Sequence, residues 1–374
     1  MKEHRKLHGH HSYHFQLNLF IFLLLLTTVL GFASVAKTQG NLIPQASVAS
    51  AIVDNTVHLD KMNLEDKIAQ MIVVHGSENN KEIWKKMNIG AFHLFAMESE
   101  ELYRERIQGY QENMSIPFFV TTDLEGCQNS FANFKNFTPN DQITTMNQAR
   151  EKGLEEGAFL RNLGFSINFA PVVDLDDSIW GCRSFPGGEE EVAKLSLAYI
   201  EALQSQGVSA TSKHYPGKTL VISDPHQNLV AASIDSQDVF PYEEQLEADG
   251  DSLVDFLMVS HIIVNGEVNS SGLPSSVSPE VILPLKENYE GIIISDDILM
   301  RGLQDFYEND SDQLYIDLVL AGHDMIINFD EDPNEIYYMI QVITKAVDAG
   351  VIEEAQIDAS VTKILELKGF GVKS

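Results

Sequence analysis

The sequence predicts an α/β fold, a single-domain (β/α)8 barrel of the TIM type. Two observations carry this. Short apolar runs rich in Val, Ile and Phe recur along the chain, and stretches of helical character alternate with them. The runs are Ala69–His75, Ile89–Phe95, Pro117–Asp123, Ser166–Asp174, Val208–His214, Phe256–Val264, Gly291–Asp296 and Asp324–Phe329. Each has the length of a strand, and most are continuous rather than alternating, as strands buried on both faces of a parallel sheet are. Between them, Asn147–Leu163, Glu190–Gln206 and Tyr337–Ala349 read as helices. Eight strand–helix alternations in one stretch fit a closed barrel. A doubly wound sheet is the other arrangement of the same alternation.

Ahead of the barrel lies a separate element. Lys2, Arg5 and Lys6 stand against one acid, Glu3, in the first fourteen residues. Residues 15–36 carry no charge, and they end on the small residues Ser34-Val35-Ala36. A basic start, an apolar centre and a small-x-small end describe a signal peptide. The same stretch is long enough to span a bilayer as an uncleaved anchor. Either way the expectation is an exported protein, secreted, periplasmic or membrane-anchored facing outward. The early histidines His4, His8, His10, His11 and His14 would suit a metal, but they also read as the polar leader of the export segment. The expected organisation is therefore a signal peptide or anchor at 1–36, a linker at 37–58 and a barrel domain at 59–374.

Composition narrows the partners. The formal net charge is −30. Nucleic acids and anionic membrane surfaces are bound by clustered Lys and Arg, so neither is expected as a partner. Only two cysteines occur, Cys127 and Cys182. In an exported chain they could form one disulfide. They are too few for a zinc site by themselves.

The ends of the apolar runs hold the chemistry. Asp123, Asp174, Lys213 with His214 and Asp296 each close a run, and His261 falls late in the run Phe256–Val264. In a parallel barrel the strand C-termini share one face, and that face carries the active site. The run Ile292-Ile293-Ile294-Ser295 enters two adjacent carboxylates, Asp296 and Asp297. Successive strand side chains point to opposite faces, so one is expected to enter the pocket and the other to cap the next helix. A pocket carboxylate could attack an anomeric carbon, hold a metal or hold a cation. In a turn-rich loop, Asp224 and His226 are separated by one residue. An Asp that fixes one imidazole nitrogen leaves the other for proton transfer.

Together these segments resemble glycoside hydrolase family 3, in particular its single-domain β-N-acetylhexosaminidases. The matching residues are Lys213-His214-Tyr215-Pro216-Gly217 followed by Asp224 and His226, and Ser295 to Met300 with Ile298 replacing Leu. Further matches are Asn63 to Ile68, Asp123-Leu124-Glu125-Gly126, Asn168 to Asp174, Arg183-Ser184-Phe185 and Ala321-Gly322-His323-Asp324-Met325. The likeness covers roughly Leu59 to Lys368. It implies a retaining exo-glycosidase that removes terminal β-linked N-acetylhexosamine through a covalent glycosyl-enzyme, with no cofactor. Asp296 would be the nucleophile, and His226 the acid and then the base, oriented by Asp224. Asp123, Arg183, Lys213 and His214 would hold the sugar. The implied substrate is a GlcNAc-containing glycan such as a peptidoglycan or chitin fragment. The alternatives are a β-glucosidase of the same family, which usually takes its acid/base from a second domain, and a barrel that binds carbohydrate without cleaving it.

The pattern departs from the family at three places. After Gly126 the chain reads Cys127-Gln128-Asn129-Ser130-Phe131, without the Arg common there. Lys218 stands where His is common, and Pro225 where Ser is common.

Overall fold

The computed structural model describes residues 43–175, 177–218, 224, 227–248, 250 and 253–373. Eight parallel strands close into a barrel: β1 Ile72–His75, β2 Ala91–His93, β3 Phe119–Thr122, β4 Ile167–Asn168, β5 Ser209–Tyr215, β6 Phe256–Val259, β7 Ile292–Asp297 and β8 Met325–Ile327. Strand order around the barrel follows the chain, and β8 pairs with β1 through Ile326–Ile72 and Ile327–Val73. Each of the eight apolar runs coincides with one barrel strand, and β5 and β7 extend one residue past their runs, to Tyr215 and Asp297. The other six strands are shorter than their runs, because a run also includes the residues that lead into and out of the ladder.

The run Ser166–Asp174 is the clearest case. Regular pairing covers only Ile167–Asn168, yet hydrogen bonds to β5 continue from Thr211 N to Ala170 O, from Lys213 N to Pro171 O and from Val173 N to Lys213 O. Pro171 has no N–H to donate, so the ladder breaks there without the chain leaving its neighbour. Asp174 is thereby carried to the barrel mouth.

The helices wrap the strands. They are α1 Leu64–Gln70, α2 Lys81–Met87, α3 Glu100–Gln111, α4 Met146–Leu163, α5 Glu189–Gln204, α6 Ser236–Leu246, α7 Pro279–Asn288, α8 Arg301–Phe306, α9 Ser311–Ala321, α10 Pro333–Asp348 and α11 Glu354–Leu367. Local signals set their ends. Thr145 and Gln148 form a reciprocal capping box at the start of α4, and Gly164, at φ 105°, ends it. Helix α10 starts four residues before the expected Tyr337, because Pro333 fits the first turn and Asp332 caps it.

The expected linker is corrected. Ile43, Val48, Ala51 and Val57 are buried, and Thr56–His58 pairs with Ile52–Val53 on one side and with the C-terminal strand Gly371–Lys373 on the other. Residues 43–58 therefore belong to the folded body. Their apolar residues are too sparse to form a run, and the partner strand lies more than 300 residues away. The expected export segment at 1–36 lies outside the described residues. Among the described residues no helix is long and apolar enough to cross a membrane.

One of the matched motifs proves to be structural. Asp324 precedes β8, at the end of the barrel opposite the mouth. It is fully buried and accepts from Lys286 Nζ at 2.8 Å, Ser360 Oγ at 2.7 Å and the Ile293 N–H at 3.0 Å. It ties α7, α11 and β7 together.

Candidate active site

A cleft of about 520 Å³ opens at the C-terminal mouth of the barrel, lined among others by Phe95, Asp123, Glu125, Gln128, Trp180, Arg183 and Asp224. Strands β3 and β5 set its floor. Asp123 directly follows β3, and Lys213 lies near the end of β5. The Lys213 ammonium donates to Asp123 Oδ1 at 2.8 Å and to Glu125 Oε2 at 2.9 Å. The Arg183 guanidinium donates to Glu125 at 2.9 Å. Two carboxylates and two cations thus form one chain, Asp123–Lys213–Glu125–Arg183. Lys213, Glu125 and Arg183 are nearly inaccessible, whereas the Asp123 side chain keeps 30% exposure toward the cleft.

Burial alone would raise the Asp123 pKa, but the Lys213 charge and hydrogen bond outweigh it and hold the carboxyl down to about 2. Burial likewise opposes the charge on Lys213, and Asp123 with Glu125 reverses the effect, so its pKa is raised. The site therefore presents a permanently ionised acceptor beside a permanently charged donor, suited to the paired hydroxyls of a sugar.

Two histidines complete the wall. His214 Nδ1 donates to Asp174 Oδ2 at 2.8 Å, and Tyr242 donates to the other oxygen of Asp174 at 3.3 Å. This fixes the His214 proton on Nδ1. His93, at the end of β2, is fully buried and stacks on Phe169 with centroids 5.5 Å apart. Burial pushes its pKa down to about 4, so it faces Asp123 Oδ2, 3.4 Å away, as a neutral ring.

Asp296 sits at the end of β7 and is half-buried. Its Oδ1 accepts the Asp297 N–H at 2.8 Å. The Asp297 carboxylate takes the N–H groups of Leu299, at 3.2 Å, and Phe329, at 3.5 Å. It thus secures the turn after the strand; the next helix, α8, has no side-chain cap. That part of the expected division between the two carboxylates is corrected. His261 supports the same turn: its Nε2–H donates to the Asp297 carbonyl at 3.0 Å, and its Nδ1 accepts from Ser276 at 2.7 Å.

Asp224 lines the cleft and accepts from the Gln227 side chain at 3.2 Å. His226, its expected partner, lies outside the described residues. A direct contact therefore joins Asp123 and Lys213, and Glu125 links Arg183 to Lys213. His214 stands beside Lys213 with its own partner, and Asp296 and Asp224 occupy the same mouth. Three contributors were not singled out in the sequence. Glu125 was visible only inside the Asp-Leu-Glu-Gly motif, His93 was hidden in the middle of an apolar run, and Trp180 lay in a loop without periodicity.

The cysteines settle how that loop is held. Cys127 and Cys182 form a disulfide with Cα atoms 5.5 Å apart. It staples the loop 177–183 to the hairpin formed by Leu124–Glu125 and Gln128–Asn129. Gly126, at φ 62°, permits the approach, because a Cβ there would lie 2.2 Å from the Cys182 carbonyl oxygen. Asp177 completes the loop by accepting the N–H groups of Trp180, Cys182 and Arg183 at 2.9, 3.1 and 2.9 Å. Replacing both cysteines by serine is expected to cost about 2–4 kcal/mol of stability. Chemical denaturation of the oxidised protein and the double variant measures this directly.

Among the described residues no cluster of three or more His, Cys, Asp or Glu could hold a metal ion. The glycosyl hydrolase family 3 N-terminal domain is matched over residues 63–367. β-Hexosaminidase A of Pseudoalteromonas piscicida is 27% identical over 69% of this chain and 48% of its own length. The β-N-acetylglucosaminidase/β-glucosidase of Cellulomonas fimi is 25% identical over 83% of this chain and 58% of its own. The chain thus spans about half to three-fifths of these relatives. The structure of a family 3 β-N-acetylglucosaminidase from Paenibacillus superposes with a TM-score of 0.73 at 25% identity, covering 82% of this chain and 62% of that one. By the family domain that fills most of its length, this chain belongs to glycosyl hydrolase family 3.

Proposed function

We propose that the protein is a retaining exo-acting β-N-acetylhexosaminidase. The observation that carries this reading is the buried Asp123–Lys213–Glu125–Arg183 chain at the floor of a cleft whose rim also holds Asp224, with Asp296 ending β7 at the same mouth. A floor closed by ion pairs suits one terminal sugar better than a polymer running through a groove. The names of the relatives above point the same way.

In this mechanism the sugar's hydroxyls bind Asp123, Lys213, Arg183 and His214. Asp296 attacks the anomeric carbon, and His226, oriented by Asp224, gives its proton to the leaving oxygen. The glycosyl–Asp296 ester forms as the glycosidic bond breaks. His226 then takes a proton from water, the water oxygen attacks the anomeric carbon, and Asp296 leaves as carboxylate. Two inversions give retention. A histidine replaces the second carboxylate of the usual pair, and the acid-then-base sequence is unchanged.

The proposed substrates are terminal GlcNAc residues of peptidoglycan or chitin fragments, reached outside the cytosol. The basic and apolar leader at 1–36 supports export with cleavage or anchoring, and a disulfide is at home in an oxidising compartment. A β-glucosidase activity is the second reading, favoured by the Cellulomonas relative, whose name couples both activities. Parallel assays of the purified protein on the 4-nitrophenyl β-glycosides of GlcNAc and of glucose separate them. Rapid release from the first and little from the second is expected. Preference for the glucoside would overturn the specificity.

A further inference from the structure

The rim of the cleft differs in character from its floor. Trp180 and Phe95 both line it, and both are large exposed aromatics, at 40% and 44%. Such a ring left in water on a cleft wall is a surface with an apolar body to offer. Neither is loosely placed. The Trp180 loop is held by the disulfide and by Asp177, and Arg183 lies 5.8 Å over the indole. Phe95 packs edge-on against His93 and Phe329, with centroids 4.5 and 5.2 Å away.

The charge of the rim is equally marked. Among the described lining residues Arg183 is the one cation, and its guanidinium is already paired with Glu125. The remaining polar lining beyond the floor is Gln128, Asn129 and Ser130, all uncharged, and Asp224, an acid. A carboxylate arriving at this rim would meet acids and amides, in the field of a chain of net charge −30.

We infer that the Trp180–Phe95 rim is the subsite for the leaving-group sugar and that it selects an uncharged sugar over one bearing a carboxylate. The inference rests on the hydrolase reading above. A terminal sugar on the floor presents its glycosidic oxygen toward the mouth, where Asp224 lies, so the second sugar must meet this rim. The C–H face of a pyranose covers an aromatic ring, and Gln128 offers a neutral amide to its hydroxyl or N-acetyl groups. The implied substrate class is a neutral β-linked N-acetylglucosamine oligosaccharide.

The test compares kcat/KM on three substrates that share a non-reducing GlcNAc. They are its β-fluoride, whose leaving group is one atom; its β-1,4 disaccharide with GlcNAc; and the same disaccharide with a lactyl carboxylate on the second sugar. The neutral disaccharide is expected to exceed the carboxylate-bearing one by about tenfold or more. Trp180→Ala is expected to lower the ratio of neutral disaccharide to fluoride by about tenfold, and Trp180→Phe to restore part of it. Gln128→Lys should raise the carboxylate-bearing disaccharide relative to the neutral one. Equal rates on the two disaccharides in the wild type, or a Trp180→Ala loss equal on disaccharide and fluoride, would overturn the inference while leaving the hydrolase intact. No turnover of any of the three would overturn the hydrolase reading itself, and the subsite with it.

Discussion

Replacing Asp296 by Asn is expected to lower kcat on a GlcNAc β-glycoside by about 10⁴-fold or more. The substitution keeps the size of the side chain and the acceptor for the Asp297 N–H, now 2.8 Å from Asp296 Oδ1. The turn after β7 should therefore survive, since it also rests on Asp297 and His261. What is lost is the charge that forms the glycosyl ester. The floor residues are untouched, so substrate affinity should persist while turnover vanishes. A smaller variant, Asp296→Gly, leaves room for azide, and an α-glycosyl azide is the expected product. A fold that melts with the substitution would appear in thermal unfolding and would be separated from a chemical defect by that measurement.

The second large effect is expected at Lys213. Its ammonium sits between Asp123 and Glu125, at 2.8 and 2.9 Å, with almost no solvent access. Lys213→Met leaves the hydrophobic stem but removes the charge, so two carboxylates face each other with only Arg183 to compensate. Breaking a buried pair in this way costs about 3–5 kcal/mol. The pH dependence gives the sign. In the wild type the folded-state pKa of Asp123 is held near 2, below its ordinary 3.8, chiefly by Lys213 acting against burial. That contribution is present above pH 3.8 and is lost as pH falls through 2. The stability gap between wild type and Lys213→Met should therefore be widest near neutrality and narrow as pH falls below about 4. Denaturant unfolding at pH 7 and at pH 3.5 checks both the magnitude and the direction. A constant gap would place the loss in packing rather than in charge.

Much of the barrel was legible because its strands are buried on both faces. Ile292-Ile293-Ile294 and Met325-Ile326-Ile327 are continuous apolar runs for that reason, and no tertiary information is needed to find them. The strand limits were less legible, since Ala170 and Val173 are as buried as the strand they follow while Pro171 interrupts the ladder. The pairing of segment 43–58 leaves no mark in the sequence, because its partner, Gly371–Lys373, is distant and each strand is three residues or fewer. In the site, Asp123, Lys213 and Asp296 stood out because each ends a run. Glu125 did not, although it bridges Lys213 and Arg183, because its importance lies in a contact between a hairpin, a strand end and a disulfide-bound loop. Trp180 carries no sequence pattern at all. Its position depends on a disulfide whose geometry no spacing could establish.

The most direct test of the proposed mechanism is to trap the glycosyl-enzyme. A GlcNAc-type substrate carrying a ring fluorine and a good leaving group slows the second step more than the first. After incubation, the intact mass should rise by one fluorinated glycosyl unit, and peptide mapping should place it on Asp296. Labelling at another carboxylate, or turnover with inversion and no trapped species, would contradict the assignment of Asp296 as the nucleophile of a retaining enzyme.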